Sequence, residues 1–176
     1  VKDKFVVNII RSGYLIPFSL PPPLSTTPFP TAPPADLVRR QTLEAEVSAL
    51  LEKGAVVEVD PGSPGFYSRL FTVPKKNGNW RPVLDLSALN RFIPPVPFKM
   101  ETASSIRLAV RRADWATSID LSDAYFHVGI DPRSSPYLRF SWQGKVFQFV
   151  ALPFGLSLAP LVFTKVVREF ARLVRI

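Results

Sequence analysis

Trp115-Ala-Thr-Ser-Ile-Asp-Leu-Ser-Asp-Ala-Tyr-Phe-His-Val-Gly-Ile130 is the stretch around which the whole chain is arranged. It reads as a strand running into Asp120, a tight polar turn through Ser122 and Asp123, and a second short strand from Tyr125. Ile119 and Leu121 flank Asp120 directly, so the acid stands where an apolar strand reaches open space. A carboxylate placed there is a natural hard-oxygen ligand for Mg²⁺. The ordinary alternative is a turn aspartate that caps its own backbone, the common fate of Asp in a loop. This stretch by itself leaves both readings open.

The 176 residues suffice for one substantial core, or for one complete domain and part of another. An apolar share of 47% is that of a globular protein. The net charge of +8 fits an anionic partner, either nucleic acid or an acidic membrane surface, and equally a soluble basic protein. The absence of cysteine excludes disulfide frameworks, Cys-based zinc sites and thiol catalysis together. His127 is the only histidine, and no Gly-x-Ser-x-Gly elbow surrounds a serine, which leaves little room for a Ser-His-Asp triad. The early apolar run, residues 5–10, is broken by Arg11 and is too short for a signal peptide or a membrane span. The expectation is a soluble, intracellular protein without membrane association. Beginning on Val1 and stopping in mid-pattern at Ile176, it reads as a segment of a longer polypeptide.

Taken in order, residues 1–16 form a short mixed piece that could be a strand or a helix end. Prolines crowd residues 17–34, favouring an extended linker or an arm lying along a surface. An SH3-ligand reading fits poorly, because no basic residue lies inside the run. Asp36 looks like the N-cap of a helix to Lys53, with Leu43, Val47, Leu50 and Leu51 on one face and Gly54 as its stop. A strand follows over 55–59, then a Pro/Gly loop.

Residues 66–74 and 80–86 read as two strands joined by Lys75-Lys76-Asn77-Gly78-Asn79, in which Asn-Gly is a strong hairpin signal. Two lysines at the tip and Arg81 beside Trp80 could be a merely solvated basic turn. The same set is what a triphosphate needs, point-charge lysine and forked arginine converging from one hairpin. No Gly-x-x-x-x-Gly-Lys phosphate loop occurs. Residues 87–90 make a short turn, 94–97 are forced extended by proline, and 102–110 look helical. Arg107, Arg111 and Arg112 near that helix's end are explained by the helix dipole alone. A second hairpin, 137–141 with 146–150, turns at Gln143-Gly144. The last helix follows Ser157 as N-cap, tolerates Pro160 in its first turn, and carries Phe163, Val166 or Val167, Phe170 and Val174 on one face. Arg168, Arg172 and Arg175 lie on another.

Four of these features occur in an order that resembles the fingers and early palm of a reverse transcriptase. They are Val73-Pro-Lys-Lys-Asn-Gly-Asn-Trp-Arg-Pro-Val-Leu-Asp-Leu86 with Leu89-Asn90-Arg91, Ser118-Ile-Asp-Leu-Ser-Asp-Ala-Tyr-Phe126, Leu152-Pro-Phe-Gly155, and Ala159-Pro160 before a helix. Gly65-Phe-Tyr-Ser-Arg-Leu70 and Leu152-Pro-Phe-Gly-Leu-Ser-Leu-Ala-Pro160 are similar in wording to retrotransposons of the DIRS type, which encode a tyrosine recombinase. The resemblance implies an α+β fold, an incomplete right-hand polymerase with an antiparallel sheet and packed helices. Residues 1–35 would be an upstream connecting segment with its Pro-rich arm, 36–114 the fingers and start of the palm, and 115–176 the palm with the first catalytic aspartate.

The activity implied is extension of a DNA primer on an RNA or DNA template from deoxynucleoside triphosphates, with two Mg²⁺ ions. By resemblance Asp120 is the first metal carboxylate and Leu121 offers its backbone carbonyl to the second ion. Asp123 and Ala124 present backbone N–H groups to the phosphates, and Tyr125 lies under the sugar as a steric gate, where the plain alternative is a core tyrosine. Lys75 and Arg81, with Lys76, match the grip on the triphosphate. Asp85 would order the fingers rather than bind metal. Phe154 stands where many retroviral relatives have Gln, so stacking or packing replaces a hydrogen bond there. Gly155 would admit the template–primer backbone.

One departure matters most: the family's aromatic-x-Asp-Asp turn, its second acidic ligand set, does not occur in these residues. The expectation is that this chain alone does not polymerise, and that a parent protein carries the rest, with ribonuclease H and recombinase domains beside it. The competing reading is a non-catalytic remnant of a retroelement polymerase that binds nucleic acid or a protein.

Overall fold

The computed structural model describes every residue except 1, 30, 101, 103, 105, 106, 109, 116, 118, 119, 175 and 176. Residues 4–12 resolve the open choice at the N-terminus in favour of a helix, α1 (Lys4–Ser12), whose first turn is capped by the Asp3 carboxylate accepting from Phe5 N–H at 2.8 Å. Val6 and Ile9, three residues apart, are its buried pair. The chain then runs extended along the surface, held at intervals rather than packed. Ser19 N–H donates to Phe92 C=O at 2.8 Å, and Ser25 and Gly65 exchange both backbone bonds at 2.9 Å. The Ser141 hydroxyl donates to Phe29 C=O, and Arg69 lies 4.3 Å over the Phe29 ring. The Pro-rich segment is therefore an arm strapped across other elements.

α2 (Leu37–Glu52) begins as its sequence signals, with the Asp36 carboxylate accepting from Arg39 N–H at 3.1 Å. Leu43, Val47 and Leu50 are buried at helical spacing, but Leu51 is 41% exposed and lies off the core face. The reason is angular: position 51 is one residue, roughly 100°, from Leu50, outside the stripe set by 43, 47 and 50.

Two antiparallel sheets follow. β1 (Val56–Val59), β5 (Lys145–Phe149) and β4 (Arg139–Trp142) form one in the order β1-β5-β4. β2 (Arg69–Pro74) and β3 (Trp80–Asp85) form the other, in a register that pairs Val73 with Arg81 and Pro74 with Trp80. Gln143-Gly144 is the expected two-residue turn, with Trp142 paired to Lys145. The short turn after β3 is one turn of helix, α3 (Ser87–Asn90). α4 (Ala159–Val174) closes the chain. It starts two residues after Ser157, so Ser157 is not its N-cap; that serine's backbone N–H is instead bound by Asn90. Pro160 sits in the first turn as expected.

The strand expected from Tyr125 is a 3₁₀ turn, Ala124–His127, entered through Asp123 in the left-handed conformation at φ 52°. Strand pairing resumes only at Gly129 and Ile130, which bridge to Ala151 and Tyr14. Aromatic content favours a strand locally, but here Tyr125 and Phe126 turn towards Phe154, Phe163 and Phe149, and that packing overrides the propensity. The helix expected over 102–110 and the strand leading into Asp120 fall in part on residues outside those described. Phe170, expected on the core face of α4, is 69% exposed, and Val174 belongs to a terminal turn whose side chains lie outside the description.

One core joins these parts. Ile9, Tyr14 and Ile16 from the N-terminal segment, Leu43 and Leu50 from α2, Phe140 and Phe147 from the three-stranded sheet, and Val162 from α4 belong to a single buried cluster. Burial pushes the Tyr14 phenol up to about 12. The result is α+β, with the hairpin β2–β3 standing on one side of a gap and the turn at Asp123 on the other.

Candidate functional site

At the hairpin tip, Lys75 N–H donates to Asn79 C=O at 2.7 Å and Gly78 N–H to Lys75 C=O at 3.1 Å, closing the loop that displays Lys75 and Lys76 to solvent. Arg81 is exposed one residue into β3, so three cations project from one hairpin. At the base of β3 the Asp85 carboxylate accepts from Ser87 N–H at 3.0 Å, and hydrogen bonds from Ser87 hold that carboxyl below the usual carboxylate range. Asp85 thus holds the start of α3.

Asp120 is exposed and has no hydrogen-bond or ion-pair partner among the described residues. The turn after it is fastened from two directions. His127 Nε2 lies 3.1 Å from Ser122 C=O, and Lys53 Nζ lies 2.9 Å from Asp123 Oδ1, joining the end of α2 to the turn. Glu46, two turns back on α2, has its carboxyl pushed up by burial, with Lys53 opposing and Asp123 adding to the rise. The Leu121 side chain, 48% exposed, lines a separate apolar groove of about 350 Å³ with Val6, Ile10 and Phe170.

Between hairpin and turn lies a cavity of about 460 Å³ whose walls include Arg81, Leu84, Phe126, Phe154, Gly155 and Glu46. Tyr125 stacks on Phe154 with ring centroids 4.7 Å apart and an interplanar angle of 33°. It also meets Phe163 edge-on at 5.3 Å, so its ring is held on two sides. Asn90 grips the loop that carries Phe154: its Nδ2 donates to Gly155 C=O and its Oδ1 accepts from Ser157 N–H, both at 2.9 Å. Gly155 has φ +92°, and a Cβ there would stand 3.5 Å from Leu84 C=O. The conformation, more than the space, requires glycine.

The structure thus brings Arg81, Phe154 and Gly155 to one cavity and places Tyr125 against it through Phe154. Lys75, Lys76 and Asp120 are not among its walls. Three residues went unnoticed in the sequence as contributors, Arg39, Lys53 and Asn90. Asn90 carries a signal of sorts, as the middle of Leu89-Asn90-Arg91; the other two are cations in the first turn of α2 and at its C-cap, and carry none.

The donor set can be weighed against the implied magnesium. Among the described residues no three acidic or histidine side chains group as a metal cage. One exposed carboxylate, Asp120, suits an ion held jointly with a triphosphate, since Mg²⁺ takes one or two carboxylates and completes its shell with phosphate and water. It does not suit a self-contained pair of ions. No helix among the described residues is long and apolar enough to cross a membrane.

Comparison with known proteins adds to this geometry. A family model described as reverse transcriptase (RNA-dependent DNA polymerase) matches residues 73–176. The Pro-Pol polyprotein of simian foamy virus type 1 is 27% identical over 125 residues, covering 71% of this chain and 11% of that protein. The retrovirus-related Pol polyprotein from transposon opus of Drosophila melanogaster is 26% identical over 138 residues, covering 76% of this chain and 14% of that one. Among solved structures, the native prototype foamy virus protease–reverse transcriptase superimposes with a TM-score of 0.69 at 24% identity, over 89% of this chain and 20% of that one. The foamy viral protease–reverse transcriptase in complex with an RNA/DNA hybrid gives 0.65 at 22%, over 93% and 22%. The chain spans only about a tenth to a fifth of the length of these relatives.

Proposed function

This chain belongs to the reverse transcriptase (RNA-dependent DNA polymerase) family, and from that premise we propose that it forms the incoming-nucleotide side of a polymerase site, built from fingers (36–114) and the first part of the palm (115–176). The observation that carries the reading is the 460 Å³ cavity bounded on the hairpin side by Arg81 and on the palm side by Phe154 and Gly155. Lys75, Lys76 and Arg81 would grip the triphosphate, the lysines as point charges and the arginine as a fork. Backbone N–H groups of Asp123 and Ala124 would meet the phosphates from the turn. Tyr125, held by Phe154 and Phe163, would exclude a ribose 2′-hydroxyl by occupying its space. Phe154 would pack the gate, and Gly155 would let the template–primer backbone approach.

Magnesium ions bound at Asp120 and the Leu121 carbonyl would supply the charge that activates the primer 3′-hydroxyl and neutralises the leaving pyrophosphate. With Asp120 the one carboxylate so placed among the described residues, this chain by itself would bind substrate without polymerising. The template–primer partner is an RNA or DNA strand paired with DNA, by analogy with the foamy viral enzyme's complex with an RNA/DNA hybrid. The parent would be a Pol-like polyprotein, of the DIRS type by its wording, with ribonuclease H and recombinase domains.

The test is equilibrium binding of dTTP to the chain. Arg81→Ala and Lys75→Ala each weaken it about tenfold or more, the worth of a charge-assisted contact. Binding by both variants as tight as that of the unaltered chain would remove the hairpin from the site and favour a remnant that binds other partners. That second reading draws on the absence of an acidic cage among the described residues.

A further inference from the structure

The β2–β3 hairpin is a two-stranded sheet separate from the larger one. A hairpin alone is marginally stable in water, so its direction has to be fixed from outside. α2 packs along both strands, and near the tip one of its side chains grips them together. The Asp36 cap places Arg39 in the first turn of α2. Arg39 Nε donates to Thr72 Oγ1 at 2.9 Å, while its guanidinium carbon lies 4.6 Å over the Trp80 ring.

Thr72 is on β2 and Trp80 on β3, so Arg39 holds both strands at once. Thr72 is 5% exposed, and Arg39 is what satisfies its hydroxyl. The gripped strands end in the pair Pro74–Trp80, and the Lys75–Asn79 loop starts immediately beyond it. Arg81 is the residue after Trp80. Any tilt of the Pro74–Trp80 pair therefore carries Lys75 and Arg81 with it.

We propose that Arg39 is a positioning residue for the triphosphate grip, acting through the hairpin and not by touching the substrate. The proposal rests on the reading of Lys75 and Arg81 given above. Charge is not what the role needs. A flat guanidinium stacks on an indole while its Nε–H bonds sideways, and a lysine ammonium cannot do both.

The experiment is calorimetric titration of the chain with inorganic tripolyphosphate, for the unaltered protein, Arg39→Lys, Thr72→Val, the two together, and Lys75→Ala/Arg81→Ala. Arg39→Lys keeps the charge and weakens binding about fivefold to tenfold, with a changed tryptophan emission and an unchanged far-UV spectrum. Thr72→Val, nearly isosteric, weakens it too, and the pair falls short of the product of the single effects because both variants break the same contact. Binding by Arg39→Lys equal to the unaltered chain would show that long-range charge suffices and overturn the proposal. Loss in the Lys75/Arg81 variant together with that equality overturns the proposal alone. No binding by the unaltered chain overturns the nucleotide reading and this inference with it.

Discussion

Gly13→Ala is the substitution whose cost is best defined by the structure. Gly13 ends α1 at φ 83° and ψ 169°, a region that only glycine occupies freely. A Cβ there would lie 2.5 Å from both Asp131 N and Ile130 C, and 2.8 Å from Ile130 O, all backbone atoms that cannot rotate away. The dihedral strain costs about 1–3 kcal/mol. Relief of the clash must separate two chain segments joined by Tyr14 N–H to Gly129 C=O at 2.7 Å and Asp131 N–H to Tyr14 C=O at 3.0 Å. Losing those bonds adds about 1 kcal/mol each. The sum is about 3–5 kcal/mol, a large part of the 5–15 kcal/mol typical of a whole domain. Urea unfolding followed by tryptophan emission measures it, since Trp142 is buried in the core. A loss below about 1 kcal/mol would refute the claim that the N-terminal segment is locked to residues 129–131 through this glycine.

Three further outcomes follow from single contacts. Asn90→Ala removes both bonds to the Phe154 loop, lowering stability by about 1–2 kcal/mol. Because the freed loop carries a cavity wall, dTTP binding falls further than stability does, which binding and urea titrations of the same variant compare directly. Asp131 is held at about 2, from an ordinary 3.8, by hydrogen bonds from the Arg133 side chain and backbone. Its folded pKa is depressed, so its stabilisation is present above about pH 4 and lost as pH falls through about 2. The stability gap between wild type and Asp131→Asn should close over that window in acid titration. Glu46 shifts the other way: burial raises its pKa, so the folded state increasingly resists its ionisation as pH rises past the ordinary 4.5. Glu46→Gln should gain stability on wild type across that rise, and a gap constant with pH would contradict the assignment.

Local chemistry made much of this fold legible. Asp36 and the 43–47–50 spacing specify α2 without reference to anything distant. Asn77-Gly78 and Gln143-Gly144 specify their turns, and the ordered motifs around Asp120, Arg81 and Phe154 specify the family. What stayed hidden depends on contacts far apart in sequence. α1 is short and is settled by burial against α4 and by the bridge from Tyr14 to Ile130. The 3₁₀ turn at Tyr125 runs against local β preference because Phe154 and Phe163 pack on its ring from 29 and 38 positions away along the chain. Lys53 reaches Asp123 across 70 residues and Arg39 reaches Thr72 across 33, so neither pairing has a signature in its own neighbourhood.

The most direct test of the central claim is the affinity for dTTP with and without Mg²⁺, in wild type and in Asp120→Asn. If Asp120 holds an ion jointly with the triphosphate, Mg²⁺ tightens binding by about tenfold in wild type and has no such effect in the variant. An equal magnesium effect in both proteins would show that Asp120 is an ordinary turn aspartate and that the polymerase site is not where these residues put it.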